Sequence, residues 1–146
     1  MRTILTWMKG KGLVSIKQTG VRITSSGLDF LNALPLRLKD IDVSDISIGK
    51  CSAAALVKRT ASKIGTGIEQ RDAAIKAGAD GATTIVVKGR RLVVPTDYDL
   101  DKEKSELARS LRQLFDLEEG DVVIVGTASS RRNAEQGALA AAFELL

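Results

Sequence analysis

Apolar residues recur with two different periods along this chain, and the period changes from one short segment to the next. Over residues 2–9 the apolar side chains fall on one side of a helix, at about 100° per residue. Over residues 14–24 apolar and polar side chains alternate around the turn Gln18-Thr19-Gly20, which is the pattern of a β-hairpin. Helical and strand patterns mixed in this way predict an α+β fold.

The charge distribution indicates two parts. Residues 1–40 carry seven basic and two acidic side chains, whereas residues 95–121 carry four basic and nine acidic ones. Gly10 and Gly12 end the first predicted helix, and Ser26 is predicted to cap a second short helix that Pro35 ends. We therefore place a boundary between residues 1–40 and residues 41–146.

Residues 41–146 predict a small mixed α/β domain. Short apolar runs predict strands at 52–57, 83–87, 92–94 and 122–125. Helices are expected at 66–78, at 102–115 and after Ser129 or Ser130. In the first of these, Thr66 and Glu69 fit a capping box.

Two residue counts exclude several classes of function. Histidine is absent, and Cys51 is the one cysteine in 146 residues. These counts exclude a Ser-His-Asp triad, a histidine general base, a histidine-containing zinc site and a disulfide framework within the chain. No apolar run is long enough to span a membrane, and the N-terminus does not have the pattern of a signal peptide. We expect a cytoplasmic protein with no membrane partner, metal, cofactor or catalytic residue, in which Cys51 is a core residue.

The N-terminal segment resembles part of a known DNA-binding family. Residues 2–14, together with Val21-Arg22-Ile23-Thr24 and Ser26-Gly27-Leu28, resemble the latter half of a winged-helix domain. In that family the helix before the wing enters the major groove of DNA. The resemblance implies DNA contacts by polar side chains of the first helix and the hairpin, namely Arg2, Thr3, Thr6, Lys9, Lys17 and Arg22. The alternative is a solvated basic face without a DNA role.

A complete winged helix has two helices before the recognition helix, so the resemblance implies a truncated domain at residues 1–40 in which DNA binding is weakened. Half of a three-helix core cannot bury Leu5, Met8 and Leu31 well. We expect the rest of the chain or a second subunit to cover them.

The remainder of the chain resembles a second family. Gln70-Arg71-Asp72 and Gly81-Ala82-Thr83 are motifs of an archaeal family of uncharacterised proteins, in which a winged helix precedes a domain of unknown function. Further matching segments are 48–50, 67–69 and 137–142. This resemblance covers residues 45–146 and implies an architecture rather than an activity. A weaker resemblance, at 85–95 and 120–126, is to the effector-binding subdomain of potassium-channel regulators.

Residues 58–72 form the first candidate ligand site, because a basic, glycine-containing loop leads into the start of a helix. Free backbone N–H groups and the helix dipole favour an anion there. A helical wheel places Arg71 among small and apolar residues, so we expect a buried guanidinium that pairs within the protein or receives an anionic ligand. The candidate residues here and on the next strand are Lys58, Arg59, Lys63, Gly65, Thr66, Gly67, Gln70, Arg71, Asp72 and Thr83. The alternative is a solvated loop before a capped helix.

A second candidate site lies where a buried strand is predicted to end and the last helix to begin. This is the ordinary place for an anion in an α/β unit. Its residues are Gly126, Thr127, Ser129, Ser130 and Arg131. The alternative is a plain helix cap with solvated arginines.

These expectations combine into one functional hypothesis. We expect a DNA-binding transcriptional regulator whose residues 41–146 sense a small anionic ligand, form a homodimer, or both. A purely structural dimerisation module is one alternative. The other is an orphan enzyme or binding protein for a phosphorylated or carboxylated metabolite, with Lys63, Arg71 and Asp72 as polar groups. The sequence contains no recognisable nucleophile–base pair, which disfavours the enzyme.

Overall fold

The computed structural model describes residues 2–42 and 51–146. By their contacts the residues divide into two compact units, Met1–Pro35 and Leu36–Leu146, called here the first unit and the second unit. The predicted α+β class is confirmed. Residues 36–40, which the sequence analysis placed in the N-terminal part, lie in the second unit because they form a strand of its sheet.

The first unit is a helix, a hairpin and a second helix. Its elements are α1 (Arg2–Gly10), β1 (Val14–Lys17), β2 (Gly20–Ile23) and α2 (Ser25–Ala33). The predicted order is confirmed, but the predicted cap at Ser26 is wrong. Thr24 is the cap residue, because its Oγ1 accepts a hydrogen bond from the Gly27 N–H at 3.0 Å and donates one to the Gly12 carbonyl at 2.6 Å.

Close packing in the first unit depends on one glycine. A Cβ atom at Gly27 would lie 2.2 Å from the Leu13 carbonyl oxygen, so α2 meets the start of the hairpin only through a glycine. The unit buries little apolar surface, because Ile4 is 65% exposed, Trp7 58% and Leu31 49%.

The second unit is built on one six-stranded sheet. Its strands are β3 (Leu36–Asp40), β4 (Cys51–Val57), β5 (Gly81–Lys88), β6 (Arg91–Val94), β7 (Tyr98–Asp99) and β8 (Val122–Ala128). The order across the sheet is β3-β4-β8-β5-β6-β7, with every neighbouring pair antiparallel. β8 is buried along its whole length because it lies between β4 and β5 and is covered on both faces.

Helices cover both faces of this sheet. They are α3 (Ile68–Lys76), α4 (Leu100–Glu103), α5 (Ser105–Leu114) and α6 (Arg131–Phe143). Leu107 and Leu111 of α5 share a core with Ile85 and Val123 on one face. The pleat turns Gly126 to the opposite face, where α6 and α3 pack together.

The helix predicted at 102–115 is divided in two, because Lys104 has non-helical backbone angles (φ −142°, ψ 60°). In the described part of the chain, the helices are too short or too polar to cross a lipid bilayer.

Candidate functional site

A groove lies over β5 and β6, on the face of the sheet that α3 covers in part. It consists of two cavities of about 220 Å³ and 140 Å³ that both touch Pro95, and we call them together the Pro95 groove. Residues at the start of α3 and on β5 line the larger cavity, among them Thr66, Gly67, Arg71, Thr83 and Thr84. The smaller cavity is lined by Ile64, Gly65, Val86, Lys88, Val93 and Thr96, among others.

Gly67 allows α3 to begin close to the sheet. It is the N-cap residue, in the left-handed region at φ 81°, and within residues 2–42 and 51–146 no side chain caps the helix. The predicted capping box of Thr66 and Glu69 is therefore wrong, since Thr66 precedes the cap position. A Cβ atom at residue 67 would lie 3.2 Å from the Cβ and 3.3 Å from the Oγ1 of Thr84. A larger residue would push the helix away from β5.

Two buried oxygen atoms near this helix start have no hydrogen-bond partner among the described residues. Thr84 is 4% exposed and Gln70 is 2% exposed. Among the described residues, no group forms a hydrogen bond with Thr84 Oγ1 or with Gln70 Oε1. Buried polar atoms are nearly always satisfied, so each unpartnered atom needs an explanation.

Arg71 is exposed, contrary to the buried position predicted from the helical wheel. α3 turns Gln70 and Ala74 to the protein interior instead. This orientation arises because α3 packs against α6 through two small residues, Ala74 and Gly137. A Cβ atom on Gly137 would lie within 3.5 Å of the carbonyl oxygen and the Cβ of Ala74. The Arg71 side chain lies on the rim of the larger cavity, while Asp72 points to solvent.

Each cation of the basic loop contacts an oxygen atom of the protein itself, although Arg59 and Lys63 are exposed. Lys58 Nζ lies 3.0 Å from Asp121 Oδ2 and donates to the Asp116 carbonyl at 2.7 Å. The Arg59 guanidinium lies 3.9 Å from Glu118. Lys63 Nζ donates to the carbonyl of Leu145 at 2.7 Å. The structure thus brings Gly65, Thr66, Gly67, Arg71 and Thr83 to the groove, while Lys58, Arg59 and Lys63 serve other contacts.

The second candidate site is built differently from the prediction. β8 extends three residues beyond the predicted strand, so Gly126 and Thr127 lie within it. A Cβ at Gly126 would lie 2.6 Å from the Ala134 carbonyl oxygen, which shows that this glycine admits α6 rather than a ligand. Ser130 caps α6 by accepting from the Asn133 N–H at 3.2 Å.

The remaining side chains of that site are also accounted for. Arg131 forms ion pairs with Asp40 and Glu135, and the hydrogen bond to Glu135 together with both negative charges raises the pKa of its guanidinium. Thr127 Oγ1 lies 3.5 Å from the Gly81 carbonyl, and Ser129 is exposed.

The residues predicted to contact DNA form an exposed polar surface on the first unit. Arg2, Thr3, Thr6 and Lys9 are exposed on α1, and Lys17 and Arg22 are exposed on the hairpin. The strand register places Arg22 opposite Ser15, so that Arg22 and Lys17 share one face of the hairpin. Within the described ranges, no carboxylate lies within 4 Å of Arg2, Lys9, Lys17 or Arg22.

Sequence reasoning missed Thr84 and the β6 side of the groove. Thr84 sits in an apolar strand next to Ile85, where a threonine is an ordinary strand residue. The significance of Thr84 comes from the fold, which places its hydroxyl next to Gly67 at the start of α3.

Comparisons with known proteins place this geometry in a wider context. A family model described as "Domain of unknown function (DUF4443)" matches residues 48–145. A solved structure of a hypothetical protein from Pyrococcus horikoshii is similar, with a TM-score of 0.77 and 27% sequence identity, covering 99% of this chain and 74% of that chain. No curated protein matches the sequence. The matches fit an uncharacterised family with an archaeal member.

Proposed function

The chain belongs to the DUF4443 family, and on that premise we propose that it is a DNA-binding transcriptional regulator. In this proposal the first unit contacts DNA, the second unit senses a small anionic ligand, and the protein is a homodimer. The observation that carries the proposal is the exposed basic surface of α1 and the hairpin, whose cations have no carboxylate partner among the described residues.

The spacing on α1 supports a single contact face. Arg2, Thr6 and Lys9 follow one another at intervals of four and three residues, so their side chains lie along one side of the helix. Basic and hydroxyl side chains are the groups that most often bind DNA phosphates. Lys17 and Arg22 add two cations on the hairpin, in the position that the wing occupies in winged-helix proteins.

The exposed apolar residues of the first unit support the homodimer. Ile4 and Trp7 of α1, together with Phe30 of α2, are each at least half exposed. Apolar surface of this kind favours association with a second copy, and a dimer would set the spacing of two DNA half-sites. Light scattering at several protein concentrations tests this part, and a monomer at high concentration would contradict it.

The Pro95 groove favours a second candidate, a metabolite-binding protein or orphan enzyme for phosphorylated or carboxylated compounds without a DNA role. Both candidates use the groove, and they differ in whether the first unit binds DNA. A DNA titration therefore separates them.

The test is fluorescence anisotropy with a labelled DNA duplex over a range of salt concentrations. Four phosphate contacts per protomer predict a slope of log K against log salt of roughly −3.6 for each bound protomer, and removing two of them reduces its magnitude by about 2 per protomer. The variant is Lys9→Gln with Arg22→Gln, and its control is Lys102→Gln with Arg109→Gln, which removes the same charge from the second unit. A response that is flat down to low salt, or an equal loss in both double variants, would contradict the proposal.

A further inference from the structure

We infer that the Pro95 groove binds a small molecule with a carboxylate or phosphate group at the start of α3 and an apolar body over β5 and β6. The inference deepens the proposed function, because it assigns the position and chemistry of the ligand that the second unit senses. It rests on three features of the groove, which are the uncapped helix, the unpartnered Thr84 hydroxyl and the apolar floor.

The start of α3 offers free hydrogen-bond donors. The first N–H of the helix to bind within it is that of Arg71, which donates to the Gly67 carbonyl at 3.1 Å. The N–H groups of residues 68–70 come before this bond, and no side chain in the described part of the chain caps them. The positive end of a helix with free N–H groups favours an anion. The exposed Arg71 guanidinium at the cavity rim has no carboxylate within 4 Å in the described part of the chain.

The Thr84 hydroxyl is an independent sign of a ligand. Thr84 is one of the residues that line the larger cavity, and its Oγ1 lies 3.3 Å from the position that a Cβ on Gly67 would occupy, beside the helix start. Its residue is 4% exposed, and Oγ1 has no hydrogen-bond partner among the described residues. A ligand oxygen bound at the helix start would accept a hydrogen bond from this hydroxyl.

The floor of the other half of the groove is apolar, while Lys88 and Thr96 also line this cavity. Val86 of β5 and Val93 of β6 are directly paired across the sheet, and they line the smaller cavity together with Ile64 and Pro95. Cavities of 220 Å³ and 140 Å³ are each smaller than the roughly 300–1,000 Å³ of pockets for drug-sized ligands. The ligand is therefore a small metabolite with one anionic end rather than a dinucleotide.

The test is a titration of the full chain, followed in its ¹H–¹⁵N correlation spectrum. The probes are isovalerate, its neutral counterpart isovaleramide, and inorganic phosphate, at up to ~20 mM because fragments of this size bind with millimolar constants. Isovalerate is expected to shift the amide signals of residues 67–70 and of Thr84, and isovaleramide is not. Larger shifts with phosphate than with isovalerate would assign a phosphorylated ligand, and the reverse a carboxylate. Equal shifts with isovaleramide, or no shift with any probe, would overturn the inference.

Three variants locate the site. Thr84→Val and Arg71→Gln are each expected to weaken binding of the preferred anion about tenfold or more, because each removes a hydrogen bond to a charged group. The control Arg109→Gln removes an equal charge from α5, which packs on the opposite face, and is expected to change binding less than about twofold. Unchanged binding in both groove variants, with well-dispersed spectra, would overturn the inference.

The same samples separate this inference from the proposed function. Probe binding without DNA binding would leave the groove as a ligand site and remove the regulator. DNA binding without any probe response would keep the DNA-binding function and remove the groove as a ligand site.

Discussion

The Lys58 ammonium is paired with the carboxylate of Asp121, which is fully buried, at a distance of 3.0 Å. The same carboxylate accepts hydrogen bonds from the N–H groups of Arg59 at 3.1 Å and Glu118 at 2.9 Å. Asp121 thus ties the start of the basic loop to the turn before β8. The first cation of the loop is consumed by this contact, so it is not free for a ligand.

Replacing Asp121 with alanine is expected to destabilise the protein by about 2–4 kcal/mol, because two backbone N–H groups lose their acceptor and Lys58 loses its counter-ion. Chemical denaturation measures the free energy of unfolding. Glu119→Ala is the control, since Glu119 is an exposed neighbour and its loss is expected to cost less than about 0.5 kcal/mol. Similar losses in the two variants would contradict the role assigned to Asp121.

Acid is expected to weaken the attachment of α4 to β6. The hydrogen bond from Arg112 and the donation from the Leu92 N–H at 2.9 Å lower the pKa of Asp101 below its ordinary value of 3.8, despite partial burial. Because the pKa is lower in the folded state, the carboxylate stabilises the fold above the unfolded value and loses this effect as the pH falls through the folded value.

Asp101→Asn is therefore expected to lower the stability at neutral pH by a modest amount, about 1 kcal/mol or less, because both partners are about a third exposed. The difference from the unmodified protein should shrink below about pH 4. Thermal denaturation between neutral pH and pH 3 measures it. A difference that stays constant over this range would show that Asp101 acts without its charge.

Thr84→Val is expected to stabilise the ligand-free protein by about 1 kcal/mol, because valine has the same shape and removes a buried hydroxyl that has no partner among the described residues. Thr24→Val should do the opposite, since the Thr24 hydroxyl caps α2 and bonds to the Gly12 carbonyl. Melting temperatures of both variants test this contrast. A lower melting temperature for Thr84→Val would mean that its hydroxyl has a structural partner.

Gly126→Ala is expected to destabilise the protein by about 1–3 kcal/mol, because the new methyl group would collide with the backbone of α6 at Ala134 and Ala138. Gly65→Ala serves as control, since no atom lies within 4 Å of the added Cβ and the backbone angle is ordinary. The two unfolding free energies are compared by denaturant titration. An unfolding free energy unchanged by Gly126→Ala would contradict the close packing of α6 on residue 126 and would make this position a candidate ligand contact again.

Local periodicity was sufficient to predict most elements of the fold. The hairpin around Gly20 and the strands at 52–57, 83–87 and 92–94 follow from alternation and apolar runs, which reflect burial of short segments. The strand predicted at 122–125 is three residues too short, because a glycine at position 126 is typical of the end of a strand. In the sheet, Gly126 lies within the strand and allows the close approach of α6.

The groove could be predicted only in part, because two of its determinants are not local. The wheel of α3 grouped Arg71 with Ile68 and Ile75, but the buried side is selected by Ala74 against Gly137, which is 63 positions later. Likewise, the local sequence presents Lys58 as a cation that could bind a ligand, whereas in the fold its ammonium is paired with Asp121, which is distant in sequence. Sequence spacing predicts the basic loop and the start of α3, whereas tertiary contacts determine which side chains face the groove.

The position of β8 has a consequence for how the chain is made. β4 and β5 both pair with β8 and not with each other, so the centre of the sheet is incomplete until residues 122–128 leave the ribosome. At about 5–20 residues per second, the 65 residues from Val57 to Val122 take roughly 3–13 s. During that interval the nascent chain presents the unpaired edge of an apolar strand, which is a target for chaperones and for aggregation. The hairpin, whose paired residues are at most nine positions apart, completes its contacts long before.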